Sequence, residues 1–184
     1  MNIQFVLLSL LRSLWFMLPL FGNSAPVLIR GKFNFLAVPV DLNKTWKGKP
    51  IFGKNKTFRG VIVCCLASTL IFALQKLLYQ FDLFRAISLI DYSQYGLLLG
   101  FLLGFGAIFG DLVKSFFKRR LGIPPGKPWF PFDQIDYTLG ALAFASIIYL
   151  PDWWVWLIII GSGIIFHVLI NYLGFLLKVK ETKF

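Results

Sequence analysis

Long apolar segments, separated by connections of alternating charge, constrain the fold of this chain more than any other feature. Residues roughly 3–22, 60–78, 95–113, 134–150 and 153–177 carry almost no charge. A helix needs about 20 such residues to cross about 30 Å of hydrocarbon, since it rises about 1.5 Å per residue. Only the fourth segment is marginal in length. With 58% hydrophobic residues and a mean hydropathy of +0.74, the chain lies outside the soluble range, where about half the residues are apolar. The sequence therefore predicts an all-α integral membrane protein, a single domain over 1–184 without linker or internal repeat. The apolar run Phe33–Val40 is too short to span and reads as interfacial or re-entrant.

Charge sets the direction of each crossing. Arg30, Lys32, Lys44, Lys47, Lys49, Lys54, Lys56 and Arg59 lie between the first two segments. Lys114, Lys118, Arg119, Arg120 and Lys127 follow the third, and Lys178, Lys180 and Lys183 follow the fifth. The other two connections hold Asp82, Arg85, Asp91 and Asp152, a single cation between them. Cytoplasmic connections carry the Lys/Arg excess. Five transmembrane helices, with the N-terminus outside, the C-terminus cytoplasmic and two basic cytoplasmic loops, satisfy every connection; four or six do not. The net charge of +11 is thus assigned to the cytoplasmic face of a cell (inner or plasma) membrane. No nucleic-acid partner and no obligatory protein partner are expected. The first segment lacks a basic leader and is interrupted by Arg12, so it reads as a retained span, with Arg12 snorkelling to the outer interface.

Three of only eight acidic residues gather near the third and fourth segments: Asp111, Asp133 and Asp136. A carboxylate near hydrocarbon costs about 2.5–3.5 kcal/mol even on lenient scales, so an intramembrane Asp is a functional candidate. Asp111 lies about 17 residues into the third segment, roughly 25 Å across the bilayer, near the cytoplasmic headgroups. Asp111, Lys114, Ser115 and Lys118 share one helical face at i, i+3, i+4 and i+7. The run Leu121–Gly126 contains Pro124, Pro125 and two glycines and breaks the helix. Asp133 and Asp136, at i, i+3, open the fourth segment. An antiparallel hairpin brings both carboxylates to the depth of Asp111.

Taken singly, Asp133 and Asp136 could cap a helix, and Lys118, Arg119 and Arg120 could grip anionic lipid. Together they fit phosphate chemistry. Mg²⁺ takes oxygen ligands, commonly one or two carboxylates with substrate phosphates and water. Asp111, Asp133 and Asp136 could hold such ions, with Lys and Arg clamping the remaining phosphate oxygens. The basic loop offers a second group. Gly53 and Gly60 bracket Lys54, Lys56, Thr57 and Arg59, and a helix N-terminus favours anions. A solvated topology loop is the alternative there, and Asp41 is a turn residue or a site member.

Other residues carry less information. Cys64 and Cys65 are adjacent in a helix, so a disulfide is disfavoured and small buried hydrophobes are expected. Gly96, Gly100, Gly104, Gly106 and Gly110 predict close helix packing inside the domain. His167 and Asn171 at i, i+4 form a buried pair or face the site. Trp153, Trp154 and Trp156 suggest an interfacial aromatic belt.

The run from Gly110 to Asp136 resembles the signature of CDP-diacylglycerol synthases: G-D-L, then S-x-x-K-R, then D-x-x-D. Asp111, Ser115, Lys118, Arg119, Asp133 and Asp136 occupy the matching positions. Pro128-Trp129-Phe130-Pro131-Phe132 replaces their Lys-Asp step and Gly-rich run, and Asp133-Gln134-Ile135-Asp136 replaces D-R-x-D. Those departures, with the shorter chain, resemble the sister CDP-archaeol synthase family. That family also has an Asn…Ala-Pro motif, here Asn23-Ser24-Ala25-Pro26, and a K-T-x-R-G loop, here Lys56-Thr57-Phe58-Arg59-Gly60. The resemblance implies cytidylyl transfer from CTP to a lipid phosphate, with release of pyrophosphate and a requirement for Mg²⁺. It implies catalytic roles for Asp111, Asp133, Asp136 and Lys118, with the three carboxylates serving the metal. Lys54, Lys56, Thr57, Arg59, Lys114, Ser115, Arg119 and Asn23 would bind nucleotide or lipid phosphate. A CDP-alcohol phosphotransferase would need a D-G-x-x-A-R…D-x-x-x-D run that is missing. A transporter or scaffold would need more polar groups at mid-membrane depth than Ser68, Thr69, His167 and Asn171.

Overall fold

The computed structural model describes residues 3–28, 35–125 and 127–176. Arg30, Lys32, Lys178, Lys180, Lys183 and the start of the 33–40 run lie outside the described residues, as do the side chains of His167 and Asn171. Helix α1 (Ile3–Met17) tightens into a 3₁₀ turn (Leu18–Ser24) and ends in the short α2 (Ala25–Leu28). Pro19 causes the change, because it has no N–H for an α-helical bond. The Pro19 carbonyl accepts from Ser68 Oγ at 2.7 Å.

The remaining helices are α3 (Phe58–Leu78), α4 (Asp82–Ala86), α5 (Leu97–Arg120), α6 (Phe132–Ala145) and α7 (Trp153–Leu176). Three helical stretches are long and apolar enough to cross a membrane: Ile3–Val27, Phe58–Leu78 and Leu97–Arg120. Trp153–Phe166 is a shorter apolar stretch. The fourth segment corrects the expected 134–150. Its helix has 14 residues, about 21 Å at 1.5 Å per residue. It stops at Ala145, where Ser146 Oγ turns back to the Leu142 carbonyl at 2.7 Å and Pro151 lies ahead.

Helix α5 lies at the centre, packed on α6 along one side and on α3 and the 3₁₀ turn along the other, while α7 covers α6 and α1. Small residues make these approaches possible, as expected. Gly100 seats Phe72 and Gly104 seats Ser68, while Gly106 and Gly110 lie against the backbone of α6 at Gly140 and Asp136. Phe72, Leu99, Leu103, Leu142 and Ile159 are fully enclosed. Cys64 and Cys65 are buried free thiols. Arg12 Nε donates to the Ala86 carbonyl at 3.1 Å, at the end of α4, a helix in the 79–96 connection that the sequence did not announce. A backbone carbonyl at a helix C-terminus is a partner for a cation that bulk water would otherwise have to supply.

Candidate active site at the α5–α6 hairpin

The site depends on how closely α5 and α6 approach. A Cβ on Gly110 would collide with the Asp136 carbonyl, and one on Gly140 would meet the Gly110 amide nitrogen at 2.9 Å. Without those methyl groups the two backbones touch, and the first turns of α6 are pressed against the last turns of α5. Asp133 and Asp136 thereby reach the level of Asp111.

Lys114 Nζ stands between them. It lies 2.9 Å from Asp111 Oδ1, 3.0 Å from Asp133 Oδ1 and 2.7 Å from Asp136 Oδ2. Asp111 Oδ2 also pairs with Lys56. Asp133 accepts from Lys118 Nζ at 3.0 Å and from the Trp129 amide at 2.5 Å. Lys118 donates in addition to the Lys127 carbonyl at 2.5 Å, which ties the 121–131 connection to α5. Three carboxylates thus meet three ammonium groups in a largely buried cluster. Charge-assisted pairs of this kind are stronger than neutral hydrogen bonds, and each buried charge here has an opposite one beside it, as burial demands.

Lys56 arrives on the first basic loop, whose fold rests on residues outside the expected site. Asp41 accepts from the amides of Asn43, Phe52 and Gly53 at 3.0, 2.9 and 2.9 Å. Thr45–Trp46 (β1) and Lys49–Pro50 (β2) form a hairpin turned by Lys47 and Gly48, both with positive φ. Arg120 donates to the carbonyls of Trp46, Lys49 and Pro50 and lies over the Trp46 and Phe116 rings. Lys49 Nζ returns a bond to the Arg120 carbonyl at 2.9 Å. The hairpin is therefore clamped to the end of α5. Residues 35–40 turn alongside the loop, with Leu36 at positive φ, Val40 N on Lys56 O (2.7 Å) and Phe58 N on Val38 O (3.0 Å). The described part of the 33–40 run is thus irregular backbone with one bridge, Pro39 to Thr57, and not a helix; its backbone groups find partners in residues 56–59.

Burial opposes the Asp41 charge, but together the three amide donors outweigh it and hold the carboxyl below its ordinary value. A depressed carboxylate stabilises above its unfolded value, near 3.9, and loses that contribution as pH falls through the folded value. Asp41→Ala is expected to speed protease cleavage within residues 41–56 about tenfold, since each orphaned amide costs about 1–3 kcal/mol when water cannot replace its partner. In the unsubstituted protein the same protection should persist at neutral pH and fade below about pH 4.

The other expected site residues lie in different places. Asn23 and Thr57 line a cleft of about 140 Å³ with Asn55, Lys56 and Asp111. Thr57 also caps α3, accepting from the Gly60 amide at 3.2 Å. Ser115 and Arg119 are buried on α5, and Arg119 Nε has no hydrogen-bond partner among the described residues. Lys54 is exposed and makes no part of the cleft wall. Arg59 lies in the first turn of α3, its amide donating to the Leu36 carbonyl at 2.9 Å. The bonds of Asp41 to the loop amides, the clamp formed by Lys49 and Arg120, and the central position of Lys114 were not legible in the sequence. Only the Lys47-Gly48 pair signalled the hairpin.

An apolar groove of about 480 Å³ opens on the other side of the cluster. Phe109, Phe117, Phe132, Leu139 and Phe144 form its walls, and Lys114 and Asp136 reach it. A small cleft with polar groups on its wall therefore meets the cluster at Asp111, and a large apolar groove meets it at Asp136. As for a metal, no three His, Cys, Asp or Glu side chains among the described residues form a ready cage. Lys114 already fills the central point. The donor set is of the chemical kind Mg²⁺ takes: anionic oxygens of three carboxylates converge on the Lys114 ammonium, and Asp136 Oδ2, though close to Lys114, makes no aligned hydrogen bond.

Comparison with known proteins identifies the family of the chain. The profile of the CarS-like family, CDP-archaeol synthase, matches residues 5–184. The CDP-archaeol synthase of Pyrococcus furiosus is 36% identical over 94% of this chain and 97% of its own. That of Thermococcus onnurineus is 43% identical over 74% and 75%. The chain belongs to the CDP-archaeol synthase family. It is accordingly an enzyme, a CTP-using lipid cytidylyltransferase. A solved structure of an intramembrane enzyme for archaeal membrane lipid biosynthesis superposes with a TM-score of 0.66 at 26% identity, covering 92% of this chain and 94% of that one. The likeness covers nearly all of both chains, and with the long apolar helices it makes this chain a multi-pass membrane protein.

Proposed function

We propose that the enzyme transfers the CMP group of CTP to the phosphate of a membrane lipid of the archaetidic or phosphatidic acid type. An oxygen of the lipid phosphate attacks the α-phosphorus, the bond to the β-phosphate oxygen breaks, and its electron pair leaves with pyrophosphate. A phosphate monoester has its second pKa near 6, so the nucleophile is already ionised at neutral pH and needs no protein base. The observation that carries this reading is the meeting of a polar cleft and an apolar groove at one carboxylate cluster. The triphosphate would enter from the side of Asn23, Lys56 and Thr57, with buried Arg119 as a further clamp. The lipid chains would lie along Phe109, Leu139 and Phe144. Asp111, Asp133 and Asp136 would hold Mg²⁺, which supplies positive charge to the reacting phosphates when bound.

We also read α6, with the turn that follows it, as the fourth of five crossings, the cluster facing the cytoplasm. The concentration of Lys and Arg in the loops on the cluster's side supports this orientation.

The test uses purified protein in detergent with CTP and a panel of lipid phosphates, read by mass spectrometry. CDP-lipid and pyrophosphate should form with Mg²⁺ and cease with EDTA. Turnover indifferent to EDTA removes the metal, and no CDP-lipid from any member of the panel removes the reaction. Ala143 also lines the groove, and Ala143→Trp, which fills it, should raise KM for the lipid phosphate about tenfold and leave KM for CTP unchanged.

A further inference from the structure

Lys114 holds a position that the proposed chemistry would assign to a metal ion. Three carboxylates crowded near hydrocarbon repel one another unless a cation lies between them. Asp111 has Lys56 as a second partner and Asp133 has Lys118. Among the described residues the cation paired with Asp136 is Lys114. Its ammonium is within 3.0 Å of all three carboxylates, and its side chain is only 13% exposed.

From this geometry we infer that Lys114 is a built-in counter-ion: it keeps Asp111, Asp133 and Asp136 assembled when no divalent cation is bound, and it competes with that cation for them. The inference rests on the metal role proposed above for the three carboxylates. It adds that the resting enzyme does not depend on metal to hold α5 and α6 together. Metal binding is weakened by the lysine charge, and the weakening is offset when triphosphate brings further oxygens. Two positive charges sharing one set of carboxylates are linked, so removing either strengthens the hold of the other.

The experiment uses the full chain in detergent, Mn²⁺ as the probe, and no substrate. Lys114→Met should lower Tm in EDTA by about 10 °C, as expected for a buried ion pair losing one partner. Mn²⁺ should restore much of that loss. Titration by electron paramagnetic resonance should show Mn²⁺ bound about tenfold more tightly than by the unsubstituted protein. Unchanged Tm in EDTA, or Mn²⁺ affinity equal to or weaker than that of the unsubstituted protein, overturns the inference while leaving the metal site intact. If neither protein binds Mn²⁺ at millimolar concentration, the metal reading itself fails and the competition fails with it. Should Lys114→Met not fold, the pair Asp133→Asn and Lys114→Met/Asp133→Asn replaces it, since one cation and one carboxylate are then lost together. Tighter Mn²⁺ binding by the double variant than by Asp133→Asn supports competition, and equal binding overturns it.

Discussion

Asp111→Asn is expected to lower cytidylyl transfer about a thousandfold while leaving the protein folded. Asn keeps the size and hydrogen-bonding shape of the side chain but removes the charge that faces both Lys56 and Lys114. Asp111 touches the polar cleft directly, so the lost charge lies where the proposed metal and triphosphate meet. Removing one preorganised electrostatic group from such a site costs about 10²–10³ in kcat, and a group that also holds metal lies at the upper end. Asp136→Asn should behave alike, because Asp136 reaches the cluster from the facing helix. Initial rates with CTP and lipid phosphate, beside thermal melts of the same samples, check both claims. Near-native turnover in both variants would reject the carboxylate cluster as the reaction centre.

The second large effect concerns packing. Gly140→Val is expected to lower Tm by about 10 °C and to reduce turnover in the protein that still folds. The new Cβ would meet the Gly106 carbonyl and, at 2.9 Å, the Gly110 amide nitrogen. All of these are backbone atoms of α5, which cannot swing aside as a side chain would. Overpacking typically costs about 1–3 kcal/mol and more where nothing can yield, and each kcal/mol is worth about 2–4 °C in a chain of this size. Separating the helices would also draw Asp133 and Asp136 away from Asp111. Gly161→Ala is the control, since nothing lies within 4 Å of its added carbon. Equal melting of the two variants would show that the close contact of α5 and α6 contributes little.

Much of this was legible in the chain itself, for stated reasons. Apolar length located the helices, and helical spacing placed Asp111 on one arm and Asp133/Asp136 on the other at one depth. The Gly-x-x-x-Gly spacings foretold tight packing. The shortness of α6 was not legible, because an apolar run continues past Ala145 while the backbone does not. The course of residues 35–40 was hidden for a related reason: their hydrogen bonds go to residues 56–59, which no local pattern reveals. Asp41 was noticed without a role, since three amides from 43, 52 and 53 come together only after the loop has folded.

Sequence by itself determined that the chain is a helical membrane protein, which acidic and basic residues meet at one end of its bundle, and which family it resembles. Those properties follow from hydropathy and helical repeat, which act over a few residues at a time. Tertiary structure alone decided that Lys114, and not Lys118, stands among the three carboxylates, that Lys56 reaches Asp111, and that a polar cleft and an apolar groove share one cluster. Each of these depends on how far apart two helices lie. That distance is set by missing methyl groups at Gly106, Gly110 and Gly140, through contacts that no single segment contains.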